Sequence, residues 1–412
     1  MVLQEDCGRS RKRYPSNLLI MNIDLYLKPI DTDSLGYKPS EFAAILGSKV
    51  KLYQPGTGME IPEKSLLLVG VGDDRGAENN AGCSNSPDEI RYYLYQLTTP
   101  SKDTEIIDLG NVIEGQTPED TYYALSEVVA EAIEKDCVLI ILGGTQDLTF
   151  GAYKGYERMN RIMNITAIDP RFDIEDSDYI SSRSWLKNII MQVPNYLFFS
   201  SNIGYQTYFV GEDYIRLMDD LRFDAYRLAD VQHEMVRAET LIRNADMVSV
   251  DISAVRQSDA PGNGFPSPHG FYGEEFCHMM RFAGMSEKTN CLGIFEVNSV
   301  LDRQGQTAHM VAQGVWFFIE GYYNRKMDNP LMDPDSCRRF MVPLEKHNMD
   351  IYFYKSKISD RWWVSVPCHN PEMQELYSNQ MLLPCTYADY QQASTKGEVP
   401  LLWLKYYQRL NG

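Results

Sequence analysis

Residues 137–147 read CVLIILGGTQD, an unbroken apolar run that ends in two glycines and a polar cluster. A run of this length without polar alternation indicates a strand that is covered on both faces. Three later segments have the same form: 164–173 (NITAIDPRFD), 247–253 (MVSVDIS) and 291–298 (CLGIFEVN). In parallel sheets, functional groups collect at the carboxyl ends of the strands, so the polar residues that end these runs form the candidate site.

Further apolar runs alternate with helical patterns on both sides of these segments. They predict additional strands at 65–71, 104–109 and 195–200. Apolar residues spaced three and four apart predict helices at 87–97, 118–135, 148–159 and 307–323. Asp147 precedes the third of these helices and is expected to be its N-cap. Alternating strands and helices predict a doubly wound α/β domain.

The composition excludes several classes of function. The chain has 412 residues, 44% of them hydrophobic, and a formal net charge of -18. Binding to nucleic acid or to an anionic membrane is not expected, because both need clustered Lys and Arg. No segment approaches the roughly 20 apolar residues that span a bilayer. The eight cysteines are scattered without a CxxC pair, which indicates a reducing cytoplasm and no structural zinc site.

The chain divides into three parts by character. We predict that residues 1–20 form a disordered extension and that residues 21–329 form the α/β domain. Residues 330–412 are predicted to form an appendage packed on that domain, with a hairpin at 350–366, loops, and a terminal helix at 401–410. The aromatic residues of the hairpin offer a candidate surface for self-association or for a protein partner. In that case the main domain is expected to stay folded without the appendage.

Four segments stand in a fixed order at the strand ends: GGTQ (143–146), DPRFD (169–173), SVDISAVRQSDAPG (249–262) and EVNS (296–299). They resemble the ureohydrolase family of arginases, agmatinases and formiminoglutamases, whose usual segments are GGDH, DAHxD, SxDxDxxDPxxAPG and ExNP. The resemblance covers about residues 65 to 325. It implies a three-layer fold with a mostly parallel sheet of roughly eight strands. It also implies two manganese ions that share a hydroxide, which attacks a guanidino or formimino carbon.

Carried over position by position, the resemblance leaves only part of the family's metal site. Three ligand positions keep their carboxylate: Asp169, Asp173 and Asp251. The histidine of GGDH is replaced by Gln146, the histidine of DAHxD by Arg171, and the second aspartate of SxDxD by Ser253. The first histidine anywhere in the chain is His233, so no histidine can occupy either upstream position.

Three interpretations of this degenerate site follow. In the one that we favour, no metal is bound, and Arg171 replaces the second ion by bidentate hydrogen bonds to two carboxylates. In the second, one manganese or magnesium ion binds the three aspartates, with Gln146 as a weak oxygen ligand. In the third, histidines from elsewhere, such as His269 or His278, complete the site. We do not expect two manganese ions.

Two functions from different classes remain open. The favoured one is a protein without the full dinuclear centre that acts in ligand binding, regulation or assembly. The alternative is a metal-dependent hydrolase of a linear amidine or guanidino compound of the formiminoglutamate, agmatine or arginine type. Glu296 and Asp251 would then be catalytic, since the resemblance places Glu296 against the amidine group, although a strand-end salt bridge explains Glu296 equally well. Asn298, Ser253 and His269 are the expected pocket residues.

Overall fold

The computed structural model describes residues 23–31, 35, 45–344 and 349–412, so the predicted extension at 1–20 lies outside the described residues. The strands in chain order are β1 Leu27–Lys28, β2 Val50–Leu52, β3 Leu66–Val71, β4 Ile106–Val112, β5 Val138–Gly143, β6 Met163–Ile168, β7 Leu197–Tyr205, β8 Asp224–Arg227, β9 Met247–Asp251, β10 Cys291–Phe295, β11 Cys337–Leu344, β12 Met349–Ser356, β13 Trp362–Ser365 and β14 Leu382–Cys385. The helices are α1 Ser86–Leu94, α2 Pro118–Glu134, α3 Leu148–Arg158, α4 Trp185–Ile190, α5 Glu212–Asp220, α6 Leu228–His233, α7 Met235–Arg243, α8 Gly273–Met285, α9 Gln306–Tyr323, α10 Pro371–Leu376, α11 Tyr387–Lys396 and α12 Leu401–Asn411.

The larger of two sheets contains ten strands in the order β1-β4-β3-β5-β10-β9-β6-β7-β8, with β2 beside β4. All of its pairings are parallel except the contact of β1 with β4. The prediction of an α/β fold with a mostly parallel sheet is therefore confirmed. The sheet is wider than the roughly eight strands expected. The difference arises because β1, β2 and β8 are short and lack an apolar run.

The strands of this sheet are buried on both faces, as their continuous apolar sequences predict. In β5, Leu139 and Ile141 belong to one apolar core, whereas Ile140 and Leu142 belong to the other, because successive side chains point to opposite faces. The first core includes residues of α2, α3 and α4, and the second includes residues of α1, α7, α8 and α9. The sheet thus lies between two helical layers.

Local sequence determines where helix α2, which packs on one face of the sheet, begins. The side chain of Thr117 accepts a hydrogen bond from the amide of Asp120 at 3.3 Å, and the Asp120 carboxylate accepts one from the amide of Thr117 at 2.9 Å. This capping box satisfies two amides that the start of α2 would otherwise leave unpaired. On the other face, α9 buries Val311, Val315 and Phe318, in agreement with its apolar sequence.

The C-terminal part is larger than the predicted hairpin and terminal helix. Strands β11, β12, β13 and β14 form an antiparallel sheet, and α10 and α11 occupy a stretch that was expected to be loops. Helix α12 buries Trp403 and Tyr406 in the same apolar core as α2 and α3. The Tyr406 hydroxyl accepts hydrogen bonds from the Nδ2 atoms of Asn164, at 2.9 Å, and Asn244, at 2.6 Å. Because this core is continuous, we expect the main domain to be less stable without residues 330–412. That it stays folded without them, as expected if the appendage is a partner surface, remains a prediction.

The structure also bears on the predictions about membrane-spanning segments and about the cysteines. In the described ranges, no helix combines the length and apolarity needed to cross a membrane. All seven cysteines within those ranges are unpaired and buried, which is the environment of small apolar core residues.

Candidate functional site

The four strand ends singled out in the sequence lie side by side in the larger sheet. Strands β5, β10, β9 and β6 are consecutive parallel neighbours. Phe295 at the end of β10 pairs with Asp251 at the end of β9, and Ile168 of β6 pairs with Val250. The residues at these ends therefore meet at one edge of the sheet: Gln146, Asp169, Asp251 and Glu296. We call this region the carboxyl-edge site.

Asp169 and Asp173 form the buried centre of the carboxyl-edge site, with only 1% and 5% of their surface exposed. The Oδ1 atom of Asp169 accepts a hydrogen bond from the amide of Arg171 at 2.7 Å. Its buried Oδ2 atom has no hydrogen-bond partner among the described residues. Asp173 has a left-handed backbone (φ 52°), which is uncommon outside glycine. Its Oδ2 atom accepts a hydrogen bond from the indole Nε1 of Trp185 at 2.9 Å.

These carboxyl groups lie close enough to perturb one another. Burial, followed by the charge of Asp169, raises the pKa of Asp173 well above its usual value. Burial also raises the pKa of Asp169, in spite of the hydrogen bonds that this carboxylate accepts. Burial and the charge of Asp169 together raise the pKa of Asp251 to about 7. Like charges held together away from water favour the protonated form of an acid, and this cluster follows that rule.

Arg171 does not take the position predicted for it. The central carbon of its guanidinium lies 4.4 Å from the ring centroid of Phe209 and 5.2 Å from that of Phe265. None of the described carboxylates forms an ion pair with it within 4.0 Å. The predicted bidentate pairing with two carboxylates is therefore wrong, because cation–π contacts with two phenylalanines hold the guanidinium instead. Its charge acts only at longer range, where it opposes the rise in the pKa values of Asp169 and Asp251.

Glu296 is held by a chain of hydrogen bonds, and no described residue gives it a salt bridge. Its Oε2 atom accepts from the Nδ2 of Asn80 at 2.7 Å, and its Oε1 atom accepts from the amide of Gln146 at 2.8 Å. The Nδ2 of Asn298 donates in turn to the Oδ1 of Asn80 at 2.9 Å. Burial, followed by the charge of Asp251, raises the pKa of Glu296 well above its usual value. Glu296, like Asp173, has a left-handed backbone (φ 68°).

Gln146 and Ser253 carry buried polar atoms without partners. The Nε2 of Gln146 donates to the hydroxyl of Ser249 at 3.2 Å, while its Oε1 atom has no partner in the described part of the chain. The amide of Ser253 donates to the Oδ1 of Asp251 at 2.7 Å, and the Ser253 hydroxyl is likewise unpartnered there. Buried polar atoms are costly when they stay unpaired, so we expect water or a ligand to contact them.

The two histidines considered as replacement ligands do not join the acids. His269 is exposed, and its backbone carbonyl, not its ring, accepts a hydrogen bond from Gln206 at 3.3 Å. His278 is exposed on α8, where it lines a separate cleft with Arg256 and Phe317. The structure therefore does not support the recruitment of histidines to this site.

Asp147 is another residue whose predicted role is wrong. Its side chain makes no capping hydrogen bond to the start of α3. The Oδ2 atom instead accepts a hydrogen bond from the hydroxyl of Tyr122 at 2.6 Å. Burial raises the pKa of Asp147 to about 6. Asp147 thus belongs to the buried polar surroundings of the strand end.

Sequence reasoning missed the residues that complete the site from outside the four strand ends. Asn80 lies in a segment, 80–91, that resembles the family's GPxxIR region, so a signal for its proximity was present. Trp185, Phe209 and Phe265 gave no such signal. Trp185 donates a hydrogen bond to Asp173, and Phe209 and Phe265 contact Arg171, because the helix and the loops that carry them fold over this edge of the sheet.

The side chains at the carboxyl-edge site differ from the set of ligands that the resemblance implies for two manganese ions. In the described residues, no group of three His, Cys, Asp or Glu side chains is arranged to hold a metal ion. Asp169 and Asp173 lie close enough for each to affect the pKa of the other. Two ions that share a hydroxide also need ligands that Gln146, Arg171 and Ser253 do not supply.

Comparison with known proteins identifies the family. The family model described as "Arginase family" matches residues 64–319, which is more than half of the chain. The chain belongs to the arginase family. Among curated relatives, it is 25% identical over 279 residues to a formimidoylglutamase of Lysinibacillus sphaericus, covering 64% of this chain and 85% of that protein. It is 26% identical over 265 residues to a formimidoylglutamase of Staphylococcus epidermidis, covering 60% of this chain and 84% of that protein.

Solved structures of family members share the fold. A formimidoylglutamase from Bacillus subtilis aligns with a TM-score of 0.63 at 16% identity, covering 71% of this chain and 96% of its own. A Trypanosoma cruzi formiminoglutamase, solved with Mn²⁺, aligns with a TM-score of 0.59 at 16% identity, covering 64% of this chain and 94% of its own. At this identity the likeness concerns the arrangement of strands and helices in the arginase-like domain.

Proposed function

We propose that the protein is a non-hydrolytic member of the arginase family, which acts by binding a ligand or a partner. One observation carries this proposal above the others. Arg171 stands at a position where the family has a metal-binding histidine, and its guanidinium lies between the rings of Phe209 and Phe265. An arginine cannot ligate a metal ion, because its guanidinium is always protonated and offers only hydrogen-bond donors.

The burial of the acids supports the same proposal. Asp169, Asp173 and Glu296 are between 1% and 5% exposed, so little of their surface is accessible to a substrate. Phe265, which contacts Arg171, also lies 4.3 Å from the guanidinium carbon of Arg183. Two arginines and two phenylalanines thus form a packed group beside the acids. A hydrolase needs an entry path for both its substrate and water, and we expect this packing to hinder access to the acids.

The names of the relatives favour a hydrolase, but their activity does not carry over to this site. Family membership describes a scaffold, whereas activity depends on the side chains that the scaffold holds. Of the six positions compared above, Asp169, Asp173 and Asp251 keep their residue type and three others do not. The proposal allows at most one divalent ion, for which the open oxygens of Asp169 and Gln146 are the available ligands.

The direct test is an assay for product release in the presence of added manganese. Arginine, agmatine and formiminoglutamate are supplied to the purified full-length protein, and urea, ammonia and formamide are measured. We expect no turnover above that of the Asp251→Asn variant, which controls for contaminating enzymes. Turnover by the wild-type protein that disappears in Asp251→Asn would contradict the proposal, and would restore the linear-amidine hydrolase as the function.

A further inference from the structure

A second polar site lies at the opposite edge of the larger sheet, next to the C-terminal sheet. Arg243 ends α7 and precedes β9, so it lies near the amino end of the strand whose carboxyl end carries Asp251. With Arg361, Trp362 and Tyr387 it lines a cleft of about 650 Å³, which we call the arginine cleft. This volume is within the range of pockets that bind small molecules.

Arg243 is buried at the arginine cleft, and two of its three side-chain nitrogens have no hydrogen-bond acceptor among the described residues. Its side chain is 5% exposed, and one nitrogen, Nη2, donates to the backbone carbonyl of Trp362 at 2.9 Å. The Nε and Nη1 atoms are buried and have no hydrogen-bond partner in the part of the chain that the structure describes. Buried guanidinium donors are rarely left unpaired, because removing their hydration without replacing it is unfavourable. The arrangement therefore calls for an external acceptor.

The acids around the arginine cleft do not supply this acceptor. The Oε1 atom of Glu239 lies 3.6 Å from Nη1 of Arg243 and 3.5 Å from Nε of Arg361, so it is shared between two guanidinium groups and hydrogen-bonded to neither. Asp360 is 82% exposed and pairs with Lys355 at 2.7 Å. Behind the two arginines, Glu287 accepts hydrogen bonds from two backbone amides at 3.1 Å. Arg243 thus keeps two donors without a hydrogen-bond acceptor in the described part of the chain, and its guanidinium carbon lies 4.9 Å from the ring centroid of Trp363.

The other walls of the cleft favour a ligand with an apolar body. Val236 on α7, Phe282 on α8 and Trp362 on β13 present hydrocarbon surface next to Arg243. Small-molecule sites typically combine such apolar walls with a few convergent polar groups. We propose that the arginine cleft binds a small organic anion, whose carboxylate or phosphate accepts hydrogen bonds from Arg243 and whose apolar body lies against Phe282 and Trp362. The proposal does not depend on the chemistry of the carboxyl-edge site, which lies at the other edge of the sheet.

Fluorine NMR with simple probes tests this proposal on the full-length protein. The probes are 4-fluorobenzoate, 4-fluorophenyl phosphate and the neutral 4-fluorobenzamide, which has nearly the same shape as the benzoate. We expect saturable line broadening with at least one of the two anions and much weaker broadening with the amide. The two anions distinguish a carboxylate ligand from a phosphate ligand, and saturable binding of either one supports the proposal.

Two variants locate the binding. Arg361→Gln removes a positive charge beside Arg243, and we expect the anion to bind about tenfold more weakly because this attraction is lost. Val236→Trp fills the cleft from its exposed rim without altering either arginine, and we expect it to abolish binding. Matched controls on α5, Arg216→Gln and Leu217→Trp, should leave binding unchanged. Arg243→Gln is expected to abolish binding too, but its burial makes the other two variants the safer test.

The proposal would be overturned if neither anion binds, if the amide binds as well as the benzoate, or if binding survives in Val236→Trp. Because no metal or hydrolysis assay enters this experiment, its failure leaves the proposed non-hydrolytic function untouched. Conversely, if the carboxyl-edge site proved to be hydrolytic, we would still expect the arginine cleft to bind a small organic anion.

Discussion

Two buried acidic sites in the described residues differ in how their charge is compensated. At the first, Asp108 of β4 receives two hydrogen bonds from Arg91 of α1, from Nε at 2.8 Å and from Nη2 at 2.9 Å, and both side chains are fully buried. The Gly110 amide donates to the same carboxylate at 2.9 Å. At the carboxyl-edge site, by contrast, Asp169 faces another acid and leaves its Oδ2 atom without a partner in the described residues.

This difference shows what each site is suited to do. A carboxylate that is bound bidentately by a buried arginine has its acceptors filled, and such a pair serves structure. The carboxyl-edge site has an arginine two residues from Asp169, yet that guanidinium packs on phenylalanine rings. Asp169 therefore keeps an oxygen without a hydrogen-bond partner in the described residues, and the acids of this site repel one another. We interpret them as the remainder of a ligand site, in contrast to the structural pair of Arg91 and Asp108.

The same substitution at the two sites should have opposite effects on stability, and the larger effect is expected at the structural pair. Asp108→Asn leaves the buried Arg91 guanidinium with only the half-exposed Asp88, at 3.0 Å, as a counter-charge. We expect the free energy of unfolding to fall by about 3–5 kcal/mol, measured by urea denaturation. Lys51→Met breaks the exposed pair with Glu105 and serves as the control, for which no measurable change is expected. If Asp108→Asn lowered the free energy of unfolding no more than Lys51→Met does, the distinction between the two sites would not hold.

An intermediate effect is expected for Arg171→Leu. This substitution removes the contacts of a guanidinium with Phe209 and Phe265, together with a charge that lowers the pKa values of Asp169 and Asp251. We expect the free energy of unfolding to fall by about 1–2 kcal/mol. Arg171→Lys keeps the charge but loses the planar stacking, so it should fall between the wild type and Arg171→Leu. Equal losses for the two variants would show that the charge at this position contributes nothing.

The smallest effect, and one of opposite sign, is expected for Asp173→Asn. An amide at this position removes a like charge, can donate to Asp169, and can still accept from the indole of Trp185. We expect the free energy of unfolding to rise by about 0.5–1 kcal/mol. The measurement is made with a chelator and again with manganese. If the variant is less stable than the wild type only when manganese is present, then the wild-type acids bind the ion and the metal-free account is wrong.

The fold was largely predictable, because each central strand carries its own signal. The runs at 137–142, 164–169, 247–251 and 291–296 are mostly apolar, and all four form adjacent parallel strands. The short strands β1, β2 and β8 escaped prediction since their pairing, and not their composition, makes them strands. The C-terminal sheet was only half predicted. The hairpin at 350–366 was visible in the sequence, whereas β11 and β14 are recognisable only through their pairing with β12 and β13.

The candidate site was predictable in position and not in geometry. Motif order located Asp169, Asp251 and Glu296 at one edge of the sheet, because parallel strands bring their carboxyl ends together. The direction in which a long side chain points could not be predicted from motif order. Arg171 had carboxylates and aromatic rings within reach, and the two rings come from loops whose paths the sequence does not specify. Its preference for the rings could be seen only in the folded chain.

The metal content of the purified protein tests the central claim most directly. The full-length protein is expressed with added manganese, passed through a desalting column, and analysed by inductively coupled plasma mass spectrometry. The T. cruzi formiminoglutamase, solved with Mn²⁺, provides the positive control. We expect at most one manganese per chain, and the same value for Asp251→Asn as for the wild type if the site holds none. Close to two manganese ions per chain, lost on substitution of Asp251, would contradict the account.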